Sequence, residues 1–260
     1  MSDWLVLVLT IAVATAVVLS IALLKERGRE TDRDRSGIPD VIEYMTMMIG
    51  VVYAIVLGLA IAGVWEARNT AQATAQAEAQ ALHEVTERVQ VFAPPVRDRV
   101  RQDVAAYVRH VVREEWPGML DTGELTGRGA ALLDRVRTDV TAYVPRDDHE
   151  SQSYQPVLEQ VGAADAARNA RARTAGATMP GVVWFGLIGG ALVAVGLIFT
   201  LQIRRTSREL MLAGVYTALI SFLLFLIWDF NSPFGHDPSE TTDAFTDLFA
   251  MRRAGDPFAM

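Results

Sequence analysis

Apolar residues in this chain are concentrated in four long blocks that contain no formal charge. The blocks run from Trp4 to Leu24, from Tyr44 to Trp65, from Gly181 to Ile203 and from Leu210 to Trp228. Each is close to the ~20 residues that cross about 30 Å of hydrocarbon as an α-helix. We therefore predict four transmembrane helices. The first is expected to be retained, because the N-terminus lacks the basic start of a signal peptide.

The segment between the second and third blocks is polar and has helical periodicity. Neither Gly nor Pro interrupts the chain from Trp65 to Pro94, so the second helix is predicted to continue beyond the apolar block. Three shorter helices are expected to follow. The first of them stops at Trp116-Pro117-Gly118, the second ends at Pro145, and the third runs from about Tyr154 to Arg173.

A narrow seam of apolar residues marks the polar part of the second helix. Leu82, Val85, Val89 and Phe92 follow one another at steps of three, four and three, which is typical of coiled-coil packing. The predicted fold is therefore all-α, with four transmembrane helices and a helical extramembrane bundle inserted between the second and third. The expected divisions are 1–65 for the first transmembrane pair, 66–179 for the polar domain, 180–229 for the second pair and 230–260 for an acidic C-terminal tail.

Small residues recur every four positions within the apolar blocks. Lipid gives helices no hydrophobic reason to associate, so close approach at small residues holds them together. We assign this helix-packing role to four of them: Gly58, Ala62, Gly186 and Gly190. One interpretation is packing among the helices of one subunit. The other, compatible with it, is packing of one face against a neighbouring subunit.

Composition and charge exclude several classes of function. The chain has 260 residues, 51% of them hydrophobic, with a formal net charge of -7, which argues against a nucleic-acid partner. The absence of cysteine excludes disulfides, thiolate metal sites and cysteine nucleophiles. The four histidines are scattered, so the sequence predicts no metal site, no cofactor and no enzymatic activity.

Basic residues are concentrated in the two short loops between paired blocks. The first loop holds Lys25, Arg27, Arg29, Arg33 and Arg35, and the second holds Arg204, Arg205 and Arg208. The positive-inside rule places both loops in the cytoplasm. The chain is therefore expected to be a multi-pass protein of the cell membrane, with both termini and the polar domain on the extracytoplasmic side.

Candidate functional residues lie at the ends of the predicted transmembrane spans, because no span has an ionisable residue in its middle. Asp40 and Glu43 precede the second block with the spacing of a helix capping box. Several copies around an axis would instead form a carboxylate ring that attracts cations. Both interpretations stay open. The candidates for an ion path along this helix are Asp40, Glu43, Met47, Gly50, Tyr53 and Ala54. For Tyr53, a hydrogen bond between helices is the alternative.

Several passages resemble the bacterial bestrophin-like family. They are Val51-Val-Tyr-Ala-Ile-Val-Leu-Gly-Leu-Ala-Ile-Ala-Gly-Val-Trp65, Ala77-Glu-Ala-Gln-Ala-Leu82, Tyr107-Val-Arg-His-Val-Val-Arg-Glu-Glu-Trp-Pro117 and Asn231-Ser-Pro-Phe-Gly235. The resemblance covers most of the chain, in the same order. It implies kinship with bestrophins, which are oligomeric ion channels with four membrane helices per subunit and a helical cytosolic part. The chain departs from bestrophins because its basic loops predict an external polar domain. It departs from the usual tail of the bestrophin-like family because its own tail continues with acidic residues.

Two functions remain in competition. The first is an oligomeric ion channel of bestrophin-like character, with the second transmembrane helix lining the pore. The alternative is a non-conducting membrane scaffold or sensor whose helical domain binds a protein or envelope partner. The expected partners are the lipid bilayer, further copies of the same chain and inorganic ions.

The predicted orientation is tested at Ser151, because the chain has no cysteine of its own. A Ser151→Cys variant is expected to react with a membrane-impermeant maleimide in intact cells. Protection in intact cells, with labelling only after the membrane is opened, would reverse the orientation.

Overall fold

The computed structural model describes residues 40–176, 178–198, 207–235 and 242–249, and the elements in these ranges are all helical. The helices are α1 (Asp40–Arg88), α2 (Pro94–His110), α3 (Trp116–Thr122), α4 (Gly127–Thr141), α5 (Asp148–Ala175), α6 (Gly181–Ile198), α7 (Ser207–Phe230) and α8 (Asp243–Leu248). A 3-10 turn, Val89–Val91, follows α1, and a π-helical turn, Val111–Glu115, joins α2 to α3. The all-α prediction is confirmed. The first apolar block and residues 199–203 of the third lie outside the described residues.

The chain divides into two compact units. The apolar unit consists of Met1–Trp65 and Met179–Asn231, and the polar unit of Glu66–Thr178 and Ser232–Met260. The division falls within α1, which is a single helix of 49 residues. The prediction that the second apolar helix continues past Trp65 is therefore confirmed. It ends shortly before Pro94, which begins α2, where a missing backbone N–H costs nothing.

The predicted stop at Trp116-Pro117-Gly118 is wrong. The helical path continues from α2 through Val111–Glu115 into α3, and Pro117 lies in the first turn of α3. Proline is tolerated there because its missing N–H falls where the α-helical hydrogen-bond pattern is already interrupted by the π-helical turn. The stop is Gly123, whose φ of 71° is left-handed and whose N–H donates to the carbonyl of Met119.

Helix α5 begins earlier than the sequence predicts. Asp147 caps it by accepting a hydrogen bond from the Glu150 N–H at 2.8 Å. Asp147 and Glu150 have the spacing of a capping box, a signal that outweighs the later Tyr154 start. Helix α4 has the same kind of start, since the Thr126 hydroxyl accepts from the Gly129 N–H at 3.1 Å. It ends at Thr141, short of Pro145.

The core of the polar unit is built on the predicted seam. Leu82, Val85, Val89 and Phe92 are all buried, and they belong to one cluster with buried residues of α2, α4 and α5. The segment after α7 also enters this core. Phe234 and Phe245 both make edge-on contacts with the Trp116 ring, at centroid distances of 5.6 and 5.9 Å. The described part of the C-terminal segment therefore packs inside the polar unit.

The core of the apolar unit joins α1, α6 and α7. Its buried members are Tyr53, Leu57, Val64, Leu187, Ala191, Ala194, Ile220 and Ile227. Most of the apolar surface lies outside this core, because only 17% of the most apolar window of α1 and 22% of that of α7 is buried. These two helices are long and apolar enough to cross a membrane, by length and composition, whereas the apolar helix Gly181–Leu197 is shorter.

One glycine fixes the contact between α1 and α6. The Tyr53 hydroxyl donates to the Leu187 carbonyl at 2.9 Å, and the ring lies over Gly190. A Cβ atom on Gly190 would stand 2.5 Å from the ring carbon Cε2 of Tyr53. Gly186, one turn earlier, has no atom within 4 Å of the same position. A side chain on Gly190 would therefore clash with the Tyr53 ring, while Gly186 is exposed.

These two glycines provide a matched test. We expect Gly190→Ala to lower stability by about 1–3 kcal/mol, because the added methyl group displaces the Tyr53 ring. Gly186→Ala is expected to be neutral or slightly stabilising, since alanine is the better helix former. Thermal unfolding of the purified protein in detergent measures both. Equal melting temperatures for the two variants would contradict this packing.

Candidate functional site

The structure distributes the six ion-path candidates over different parts of α1. Asp40 and Glu43 lie in its first turn, but their side chains are outside the described set, so capping and a carboxylate ring both remain predictions. Tyr53 points into the core of the apolar unit and its hydroxyl bonds to α6. The alternative interpretation of Tyr53, a hydrogen bond between helices, is therefore what the structure shows.

The other candidates lie away from that core. Met47 and Ala54 are exposed, whereas Gly50 is half-buried. Gly50 and Met47 border a cavity of about 610 Å³ within the apolar unit. Its lining comes from α1, α6 and α7: Thr46, Met47, Gly50, Ala194, Leu197, Leu212, Ala213, Val215, Tyr216 and Leu219. A lining with so few polar groups suits hydrocarbon rather than an ion.

One face of α1 is exposed in the described part of the apolar unit. Val51, Ala54, Gly58 and Ala62 follow each other at three- and four-residue spacing, and all are exposed. A Cβ atom built on Gly58 would have no atom within 4 Å. The small-residue stripe of α1 is thus not used for packing within the described part of the subunit. We call this surface, and its continuation at the same helical spacing, the open face of α1.

A buried ion-pair network, which the sequence pattern did not predict, lies in the polar unit. Two glutamates, Glu78 of α1 and Glu115 of the π-helical turn, meet two arginines of α5, Arg168 and Arg171. All four side chains are at most 7% exposed. Two acids and two bases make the network neutral, which limits the cost of burying its charges.

Both arginines bind carboxylates through two nitrogens. Arg168 donates to the two oxygens of Glu115 at 2.6 and 2.8 Å. Arg171 donates to the two oxygens of Glu78 at 2.7 and 3.1 Å, and its Nη2 also reaches Glu115 at 2.9 Å. The Tyr107 hydroxyl donates to Glu78 and accepts from Arg168 at 3.0 Å. Such paired, charge-assisted contacts are the strong hydrogen bonds of proteins.

Local backbone features bring Glu115 to this position. It ends the π-helical turn, a wider turn that shifts the side chains after it around the helix axis. The backbone N–H and the hydroxyl of Thr126 both donate to Glu115 Oε2, at 3.0 and 2.7 Å. Gly129 must lack a side chain, because a Cβ atom there would lie 2.2 Å from the same oxygen.

Electrostatics hold Glu115 in its charged form. Burial opposes its ionisation, but hydrogen bonds from Arg168 and Thr126 and the charge of Arg171 outweigh burial and lower the pKa to about 2. Burial and the charge of Glu78 raise the pKa of Tyr107. At neutral pH Glu115 is therefore a carboxylate and Tyr107 a neutral phenol. With its charges bonded to each other, the network acts as a clamp among α1, the π-helical turn and α5.

A sequence signal for this clamp exists at Glu78. Ala71, Ala75, Glu78, Leu82, Val85 and Val89 follow the core spacing of α1, and all are buried. A glutamate in such a series requires a buried cation. Arg168 and Arg171, three residues apart, share one face of α5 and supply it. Neither the π-helical turn nor the pairing can be inferred from the spacing alone.

Among the residues that the structure describes, no group of three or more His, Asp or Glu side chains could hold a metal ion. The arrangement seen here offers a packed clamp, an apolar cavity and an open helical face. Of these, the open face is exposed along its whole length from Val51 to Ala62.

Comparison with known proteins gives both a family and a fold. The model of the Bestrophin-like domain family matches residues 11–237. A crystal structure of a bacterial Bestrophin homolog from Klebsiella pneumoniae, a mutant, has a TM-score of 0.63 at 12% identity over 96% of this chain and 100% of that one. A second structure of a Bestrophin homolog from this organism has a TM-score of 0.61 at 13% identity, over 95% of this chain and 98% of that one.

A solved structure described as a membrane protein is similar to the same degree, with a TM-score of 0.62 at 12% identity over 95% of this chain and 99% of that one. At such low sequence identities, the similarity to these solved structures shows only that the fold is shared. No curated protein matches the chain.

The clamp gives the polar unit a defined dependence on pH. The folded pKa of Glu115, about 2, lies below its ordinary value of 4.5, so the stabilisation is complete above pH 4.5 and is lost as the pH falls toward 2. We expect Glu115→Gln to cost about 3–5 kcal/mol at pH 7, because it leaves buried guanidinium charge uncompensated. The difference in stability between this variant and the wild type should narrow as the pH falls from 5 to 3. Thermal unfolding followed by tryptophan fluorescence measures it.

Glu114 is the matched control, since it is the neighbouring carboxylate but is 56% exposed. Glu114→Gln is expected to cost at most about 1 kcal/mol, as for other surface ion pairs. If Glu115→Gln were no less stable than Glu114→Gln at pH 7, the clamp would have no energetic role.

Proposed function

Because the chain belongs to the bestrophin-like domain family, we propose that it forms an oligomeric ion channel in a lipid membrane, with α1 of each subunit lining the pore. The observation that carries this proposal is the open face of α1. In the membrane stretch this face offers Ala54, Gly58 and Ala62, small side chains that leave room for water along a shared axis. Within the described residues of one subunit this face is exposed, which supports a lining formed by several copies.

The membrane placement rests on length and apolarity. Helices α1 and α7 can each cross a bilayer and bury little of their apolar surface within the subunit. The first apolar block and the helix beginning at Gly181 complete the four proposed spans, with the helical bundle of the polar unit inserted between the second and the third. The two basic loops favour an extracytoplasmic polar unit and termini. We propose no catalytic activity.

Asp40 and Glu43 give the proposed pore a charged entrance. Repeated around an axis, these carboxylates would attract cations to the cytoplasmic end of α1. Glu43→Gln is therefore expected to reduce the single-channel conductance for K⁺. The reduction is largest at low ionic strength, because salt screens the entrance charge.

Two glycines of α1 test the pore-lining role. Gly58 and Gly63 are both exposed, and a Cβ atom added to either would have no other atom within 4 Å, so each can accept a larger side chain within the subunit. Five residues at 100° per residue place them about 140° apart around the helix. In planar bilayers, Gly58→Leu is expected to abolish or strongly reduce the unitary current, whereas Gly63→Leu leaves it near the wild-type level.

The oligomeric state is measured on the same preparations. A ring of four or more copies, by mass photometry or electron microscopy in nanodiscs, is the expected assembly. A monomer or dimer that is silent with K⁺, Na⁺ and Cl⁻ would overturn the channel and favour the alternative function, a membrane scaffold or sensor. Equal currents from the two leucine variants would remove α1 from the pore wall.

A further inference from the structure

We infer that a ladder of carboxamide side chains on the open face of α1, beyond its apolar stretch, forms a weak multi-site lining for inorganic cations. The inference rests on the proposed channel function and names its selectivity element. The ladder consists of Asn69, Gln72, Gln76 and Gln80, and all four side chains are exposed. Within the part of the chain that the structure describes, none of these amides has a hydrogen-bond partner.

Helical register places the ladder opposite the core. At 100° per residue, Gln72, Gln76 and Gln80 lie within about 60° of Asn69. The same arithmetic puts Ala54, Gly58 and Ala62 on that side of the helix. The buried residues Ala71, Ala75 and Glu78 lie on the other side. The amides are therefore a polar continuation of the open face and have no part in the core of the polar unit.

The composition of this face is unusual for a surface that simply meets water. An exposed face without a partner usually carries charges of both signs. Between residues 66 and 87 the only lysine or arginine is Arg68, which is half-buried and about 100° from Asn69 around the helix, although arginine is frequent elsewhere in the polar unit. The charged members of this face are acidic, with Glu66 near one end of the ladder and Glu87 near the other.

Neutral amides suit permeation better than strong ligands do. A carboxamide oxygen can replace one water in the shell of a cation without holding it by a full charge. Rows four residues apart are about 6 Å apart along the axis, so an ion can pass from one row to the next. Conduction requires several weak sites of this kind, because tight binding would prevent release.

The glutamates at the ends of the ladder determine whether it attracts cations or anions. Exposed carboxylates repeated around an axis raise the local concentration of cations and exclude anions. Glu66 and Glu87 are both exposed, and Glu84, which lies nearby on the same side, is paired with Arg88 at 3.0 Å. The ladder therefore begins and ends at negative charge. Inorganic cations, rather than chloride or organic anions, are its expected ligands.

The cysteine-free chain allows a direct test with the full-length protein in planar bilayers. Gln76→Cys places one thiol in the middle of the ladder. Reaction with the cationic trimethylammonium-ethyl methanethiosulfonate is expected to reduce the K⁺ current by about tenfold or more, through repulsion at close range. The anionic sulfonatoethyl analogue should reduce it much less, and the reversal potential in a KCl gradient should have the sign of a cation-selective pore.

Two matched variants accompany it. Ala75→Cys stands one residue away on the buried face, and its current is expected to be unchanged by either reagent because the thiol is inaccessible. Ser151→Cys is exposed and belongs to α5, not to α1, so it should react without changing the current. Glu66→Gln combined with Glu87→Gln is expected to shift the reversal potential toward zero while conduction persists.

The outcomes separate this inference from the proposed function. A conducting wild type whose Gln76→Cys variant is labelled, as shown by mass spectrometry, without loss of current overturns the ladder and leaves the channel intact. A current carried mainly by chloride overturns the assignment to cations. A wild type that never conducts overturns the channel, and the ladder with it. If the cationic reagent selectively blocks the current of the Gln76→Cys variant, the result supports both the channel function and the amide ladder.

Discussion

The arrangement of the polar unit depends on buried ion pairs that join α1 to α5. Arg171 bonds to Glu78 and Glu115 together, and Arg168 closes the network through Glu115. An unpaired ion at this depth would cost several kcal/mol, so each partner fixes the position of the others. Apolar contacts along α1 can tolerate small displacements, whereas paired guanidinium and carboxylate groups require one geometry. The clamp thus selects a single register among helices whose surfaces would otherwise allow several.

This constraint gives α1 two faces with different roles. On one side, alanines, valines and Glu78 meet the rest of the polar unit, and in the apolar unit Tyr53 meets α6. On the other side, small apolar residues and then amides remain uncovered. A helix held so firmly along one side presents the other as a rigid surface.

Much of the architecture could be predicted from the sequence. Apolar block length predicted the long helices, and the absence of Gly and Pro after Trp65 predicted the continuation of α1. The Leu82 to Phe92 seam was identified as a packing face, and it is buried. The errors arose where local signals compete. Trp116-Pro117-Gly118 predicts a helix stop, but a π-helical turn lets the helix continue until Gly123.

The sequence by itself determined the helical class and the long α1, because these depend on periodicity and block length along one chain, and its passages such as Asn231-Ser-Pro-Phe-Gly235 carried the resemblance to the family. Only the tertiary structure decided which residues of α1 are used inside the subunit. It placed Tyr53 in the core, paired Gly190 with its ring and left Gly58 open. It also brought Glu78 to Arg171, which lies 93 residues away in the sequence. Contacts across such distances depend on how helices pack, and no local pattern records that.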